Sequence, residues 1–178
     1  AAVLGHSMGG VIALELVRRW PERVSALVLA GTPDRLSPRN RALLRDWGEW
    51  ARDGIAERMR YHHLFYWLFS ESFFDEERQV ELAEEYAVAC PHAQSKGDFL
   101  RQIEALLTYE APAGPGAHGI PRTLVMAGEK DILFPPTRCR ALADLLAGST
   151  YVCLPGAAHA LHLEQPERFV QEVCTFLG

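Results

Sequence analysis

The chain has 178 residues, 48% of them hydrophobic and 23% charged, with a net charge of −5; this suits one globular domain with a sizeable core and excludes a disordered or fibrous chain. An acidic balance with both signs spread along the chain excludes the basic patch of a nucleic-acid binder, and no run approaches the roughly 18 apolar residues of a membrane span. Cys90, Cys139, Cys153 and Cys174 lack C-x-x-C spacing, so buried reduced thiols are expected rather than disulfides or a metal site.

The first predicted element is a short apolar strand, Ala1 to Leu4. It runs into Gly5-His6-Ser7-Met8-Gly9-Gly10 and a helix ending at Trp20. Glu15, Arg18 and Arg19 form one solvated stripe on that helix, and Pro21 stops it. A serine between glycines at a strand-to-helix turn reads as a nucleophile elbow: the turn strains the serine backbone and exposes Oγ. Gly5 and Gly9 are expected to keep Cβ atoms out of the crowded crossing. The Met8 N–H, at a helix start, is expected to face a developing oxyanion.

Ala26 to Ala30 (ALVLA) is a continuous apolar run, as expected of a strand buried on both faces. Residues 34–117 contain no strand signal and read as a helical insertion. Its helices are predicted from Ser37-Pro38 onward, over Asp75 to Cys90, and over Ser95 to Tyr109. The local excess of basic residues from Arg35 to Arg60 is read as a solvated face. Phe65, Trp67, Phe69 and Phe73 belong to an aromatic cluster that is read either as plain core or as a substrate-facing wall. His62-His63 is adjacent, so both rings cannot face one metal from one helical stripe. His92 and His118 are placed on the surface, and residues 111–119 read as a linker.

Arg122 to Ala127 and Thr150 to Leu154 are two more buried strands. A helix over Thr137 to Ala147, capped by Gly148, is predicted between them, and a last helix over Pro166 to Leu177. Strands alternating with helices imply a parallel α/β sheet, arranged as core 1–33, helical insertion 34–117 and core 118–178.

A serine nucleophile needs a base, and the base needs a carboxylate to orient it. Asp131 follows the strand TLVMA and His159 follows YVCL, so both fall at the sheet edge that Ser7 occupies. Asp34, after ALVLA, is the rival acid, and His162, inside the next helix, is the rival base. Asp131 can also be read as a helix cap near Pro135, and Glu129 as structural.

These blocks in order, VLGHSMGGVIALEL, ALVLAGTP, LVMAGEKDILFPP and LPGAAHALHLEQPERF, resemble the α/β-hydrolase superfamily with a helical cap. The resemblance implies strands 5 to 8 of a sheet ordered 1-2-4-3-5-6-7-8. It implies Ser7 as nucleophile, Asp131 as acid, His159 as base and Met8 in the oxyanion hole. Phe65, Trp67, Phe69, Phe73 and Phe134 are the expected substrate-binding residues, beneath a cap covering Ser7. The implied protein is a cytoplasmic serine hydrolase without cofactor or metal. It would cleave a small or medium ester, thioester or lactone, with no nucleic-acid partner and no membrane span.

Acyltransferase, perhydrolase or carbon–carbon bond hydrolase activity is the alternative on the same fold. A non-catalytic ligand receptor is the alternative of another class. The chain begins inside the catalytic strand without Met, so it is read as the C-terminal part of a longer enzyme, inactive by itself because a second oxyanion donor lies upstream.

Overall fold

The five apolar residues Ala26–Ala30 form β2 and are buried throughout, because neighbouring strands occupy both edges and helices both faces. The computed structural model describes residues 1–91, 94–109 and 121–178. The predicted linker, His92 and His118 lie outside the described residues. Two compact units are present: Ala1–Arg35 with Leu68–Ser70 and Ala111–Gly178, and Leu36–Trp67 with Glu71–Glu110.

In the first unit, β1 (Ala2–His6), β2, β3 (Arg122–Gly128) and β4 (Thr150–Leu154) form one sheet in the order β1-β2-β3-β4. All three pairings are parallel, with His6 opposite Ala30, Ala30 opposite Met126, and Met126 opposite Val152. The continuous apolar runs follow from period 2. Leu27, Leu29, Val125 and Ala127 pack with residues of α1 (Met8–Arg19) and α6 (Pro136–Leu145). Val28, Ala30, Leu124 and Met126 pack on the other face with Leu161 of α7 (Leu161–Glu164) and Phe169 of α8 (Pro166–Leu177). A parallel sheet brings all its carboxyl ends to one edge. The residues after β1, β2, β3 and β4 therefore share an edge although they are far apart in sequence.

Several boundaries depart from the sequence reading. β1 runs to His6 rather than stopping at Leu4, because its ladder with β2 continues to Ala30. The cap of α6 is Leu146, whose N–H donates to Ala143 O and Leu142 O; Gly148 lies two residues beyond, at φ +78°. Among the cysteines Cys139 is buried, Cys90 and Cys153 are half-buried, and Cys174 is exposed. Cys174, expected to be buried with the others, is on the exposed side of α8.

The second unit is helical. α2 (Pro38–Asp53) opens with a capping box, in which Ser37 Oγ accepts from Asn40 N and the Asn40 side chain accepts from Ser37 N. It ends at Gly54, in the left-handed region at φ 82°. Its buried Leu43, Leu44, Trp47 and Ala51 pack with α5 (Lys96–Thr108), which buries Ile103.

The aromatic stretch left without an element is a helix, α3 (Glu57–Leu68), followed by a 3₁₀ turn, Glu71–Asp75. Apolar residues lie all round α3, so no stripe marks it. α4 (Glu77–Ala89) carries a polar surprise on its buried face, Glu84 beside Val80. Glu84 accepts from Arg58 Nε at 2.7 Å and bonds His62 Nδ1, while His62 Nε2 lies 2.6 Å from the Tyr66 hydroxyl.

Burial pushes the Glu84 carboxyl up, but the bonds from His62 and Arg58 outweigh it and hold the group below its ordinary value. A depressed carboxylate stabilises the fold above its unfolded pKa and loses that contribution as pH falls through its folded one. We expect melting temperature to fall on acidification below about pH 4.5, more steeply than in Glu84→Gln. Equal slopes in the two proteins would remove this role.

Candidate active site

Ser7 is the pivot between β1 and α1. Its backbone sits at φ 55°, ψ −120°, and it is the only non-glycine residue with positive φ among those described. Such a conformation costs about 1–3 kcal/mol and persists only where its surroundings enforce it. Here the Ser7 N–H donates to Ala30 O at 2.8 Å, and the Ser7 carbonyl accepts from Gly10 N at 3.0 Å and from Thr32 Oγ1 at 3.4 Å. Met8 is the first residue of α1, so its N–H is among the donors a helix start leaves unpaired inside the helix.

The glycines divide their work differently from the expectation. A Cβ on Gly5 would strike the Gly9 carbonyl, and one on Gly10 would strike the Thr32 side chain, whereas a Cβ on Gly9 meets nothing within 4 Å. Gly10, not Gly9, is the second residue that must be small, because Thr32 from the β2 loop crosses there. Gly5→Ala is expected to cost on the order of 1–3 kcal/mol or more through backbone overpacking. Gly9→Ala is expected to be neutral, or to gain about 0.5–1 kcal/mol as a helical Gly→Ala change. Denaturant melts of the two variants check the contrast.

Asp131 follows β3 and His159 follows β4. His159 Nδ1 lies 2.8 Å from Asp131 Oδ2, with side chains 1% and 0% exposed. The other carboxylate oxygen, Oδ1, accepts the Phe134 N–H at 2.7 Å, so Asp131 also closes the turn before Pro135. With the imidazole proton on Nδ1, Nε2 is left as an acceptor. Among the described residues the Ser7 hydroxyl makes no hydrogen bond to His159. The two segments meet instead through the backbone: His6 Nε2 is 2.8 Å from the His159 carbonyl oxygen.

The rival residues stand elsewhere. Asp34 lies between Arg35, at 3.7 Å, and Arg138, at 3.6 Å. His162 is on α7, its ring 4.6 Å from that of His6, with Nδ1 buried and without a hydrogen-bond partner. Burial first, and His159 second, lower its pKa.

One contributor, Glu164, went unread in the sequence. The Glu164 carboxylate accepts from Ala158 N at 2.6 Å and, on its other oxygen, from Ser70 N and Ser70 Oγ at 2.9 and 2.5 Å. It thus clamps the loop carrying His159. Glu129 accepts from Gly156 N at 2.9 Å, and Lys130 N donates to Ala157 O at 2.8 Å. These bonds tie the acid loop to the histidine loop. Gly128 lies beneath, where a Cβ would strike Ala158 O.

Of the aromatic candidates, Phe134 is buried with its ring edge-on to His159, centroids 5.3 Å apart. Phe65 and Phe73 are buried within the helical unit, edge-to-face at 6.1 Å. Trp67 is half-buried under the Arg39 guanidinium, 5.6 Å from the ring centroid, and Phe69 is half-buried in the first unit. A cavity of about 770 Å³ in the helical unit is lined by Met59, Tyr66, Phe74, Val80 and Glu84 among others, and by none of these five. Among the described residues no cluster of three or more potential metal ligands occurs, and no helix is long and apolar enough to cross a membrane.

Residues 1–172 match the model of the alpha/beta hydrolase family. RutD of Agrobacterium fabrum, a protein named for carbamate hydrolysis, is 31% identical over 98% of this chain and 66% of its own length. Further RutD proteins, from Rhizobium rhizogenes and Klebsiella pneumoniae, are both 29% identical. The chain spans 65% to 66% of the length of these relatives. Among solved structures, a hydrolase from Pseudomonas aeruginosa matches with TM-score 0.85 and 25% identity, over 100% of this chain and 64% of that one. A thermophilic esterase from Thermogutta terrifontis matches with TM-score 0.79 and 26% identity, over 99% and 64%.

Proposed function

Because the chain belongs to the alpha/beta hydrolase family, we propose that it carries the nucleophile, base and acid of a serine hydrolase: Ser7, His159 and Asp131. The single observation that carries this reading is the strained Ser7 backbone at the start of α1. A structural turn serine has no need of that strain. A nucleophile elbow does, since it lifts Oγ clear of strand and helix.

In this reading Asp131 holds the His159 Nδ1 proton, and Nε2 takes the Ser7 proton as Oγ attacks a carbonyl carbon. The Met8 N–H stabilises the oxyanion at the positive end of α1. The tetrahedral intermediate collapses, His159 passes its proton to the leaving group, and an acyl-enzyme remains on Ser7. Water, activated by His159, then releases the acid. The substrate is a small or medium ester, thioester or lactone with an apolar part, for which Phe134 offers a wall beside the base.

A carbamate is the second reading, favoured by the 31% identity to a relative named for carbamate hydrolysis. The same residues would attack it and form a carbamoyl-enzyme.

A fluorophosphonate probe followed by peptide mapping tests the nucleophile. Stoichiometric labelling at Ser7 is expected, and labelling elsewhere overturns the assignment. Turnover of p-nitrophenyl esters against the matching carbamates then separates the two substrate classes. In the full-length protein, labelling without turnover of either would favour a ligand receptor.

A further inference from the structure

His6 precedes the serine and is absorbed by no step above, yet it bridges the longest sequence gap in the site. Its Nε2 lies 2.8 Å from the carbonyl oxygen of His159, 153 residues away. Its ring is 4.8 Å from the His159 ring and 4.6 Å from that of His162. A carbonyl oxygen can only accept, so Nε2 carries the proton and Nδ1 of the neutral ring does not.

We propose that His6 is the positioning residue for the base: its Nε2–H holds the His159 backbone against the end of the nucleophile's own strand. This rests on the reading of Ser7 and His159 given above. The physical reason is the length of the path joining the two reacting groups. Through the sheet, Ser7 and His159 are related across β1, β2, β3, β4 and then the four residues 155–158, each link with its own play. Through His6 they are related by one peptide unit and one hydrogen bond. A displacement of about 1 Å between nucleophile and base can cost on the order of 10² in rate, and sites held on rigid elements are more accurate than sites held on loops.

The electrostatics agree with a neutral donor. Burial first, then the neighbouring His159, hold His6 down at about 4. At neutral pH it therefore places no charge beside the imidazolium that His159 becomes during the reaction.

The test has one arm that needs no turnover. In ¹⁵N-histidine NMR of the intact protein at pH 7, His6 is expected as the Nε2–H tautomer, with that proton slow to exchange. His6→Phe keeps a ring against His162 but has no donor; it is expected to shift the His159 Nδ1–H resonance. His6→Gln restores an N–H at similar reach and is expected to return the resonance toward its original position.

In the kinetic arm, run on the full-length protein, His6→Phe is expected to lower kcat about tenfold with KM nearly unchanged, and His6→Gln to recover most of the loss. An Nδ1–H tautomer at His6 overturns the proposal, as does a His6→Phe protein with unaltered His159 resonance and kcat. A His6→Phe protein too unstable to purify leaves the decision to the tautomer and to His6→Gln. If the unaltered full-length protein is neither labelled by fluorophosphonate nor active, the reading of Ser7 as nucleophile fails, and the NMR arm alone decides the role of His6.

Discussion

In the full-length protein, replacing Ser7 with alanine is expected to remove ester turnover by roughly 10⁶-fold and to abolish fluorophosphonate labelling. The loss should be chemical rather than structural. The Ser7 backbone is held by its N–H bond to Ala30 O and by the bonds its carbonyl accepts, none of which uses the hydroxyl. Alanine carries the same Cβ into the same strained turn, so melting temperature should hardly move. On the proposed reading the three side chains act as a unit, so Ser7→Ala combined with His159→Ala should be little worse than either change alone. Multiplicative losses would mean that the two residues work independently. Labelling that survives Ser7→Ala would reveal another nucleophile.

Asp131→Asn is expected to lower kcat by about 10⁴ while leaving the fold nearly unchanged. The carboxylate has two distinct tasks. Oδ1 accepts the Phe134 N–H and closes the turn, and Oδ2 bonds His159 Nδ1. Asparagine keeps the turn through its carbonyl oxygen but presents an amide N–H to Nδ1. The imidazole then has to accept at Nδ1 and carry its proton on Nε2, where it can no longer take one from serine.

Asp131→Ala differs in kind. It leaves the Phe134 N–H and the His159 ring without a buried partner, at about 1–3 kcal/mol for each orphaned group, so both stability and rate should fall. A kcat unchanged in Asp131→Asn and lost in Asp34→Asn would move the acid to Asp34. The present surroundings of Asp34, between Arg35 and Arg138, argue against that outcome.

The parallel sheet and most of its helices were legible because the signals for them are local. ALVLA and TYVCL name their own strands to the residue, since a strand packed on both faces must be apolar throughout. The Ser37-Pro38 start of α2 is likewise written in the chain, as a cap followed by the one residue whose missing N–H does no harm there.

α3 was not legible for the converse reason. With apolar residues on every side, Tyr61 to Phe69 carries no period that separates helix from cluster. The glycine assignment failed for a related reason. Gly9 and Gly10 are equivalent in the motif, and only the arrival of Thr32 from the loop after β2 makes one of them indispensable.

By itself, the sequence determined the four strands, most of the helices and which serine stands at a strained turn, because those properties depend on residues within a few positions of one another. Tertiary structure alone decided that His6 reaches the His159 backbone, that Glu164 clamps its loop, and that Glu84 is buried with Arg58 and His62, and it brought Asp131, the acid already favoured over Asp34, onto His159. Most of these pairings span tens of residues, and His6 to His159 spans 153. Nothing in local spacing encodes them. They follow from the parallel register that brings the carboxyl ends of four strands to one edge, and from the packing that leaves each buried polar group only the partner within reach.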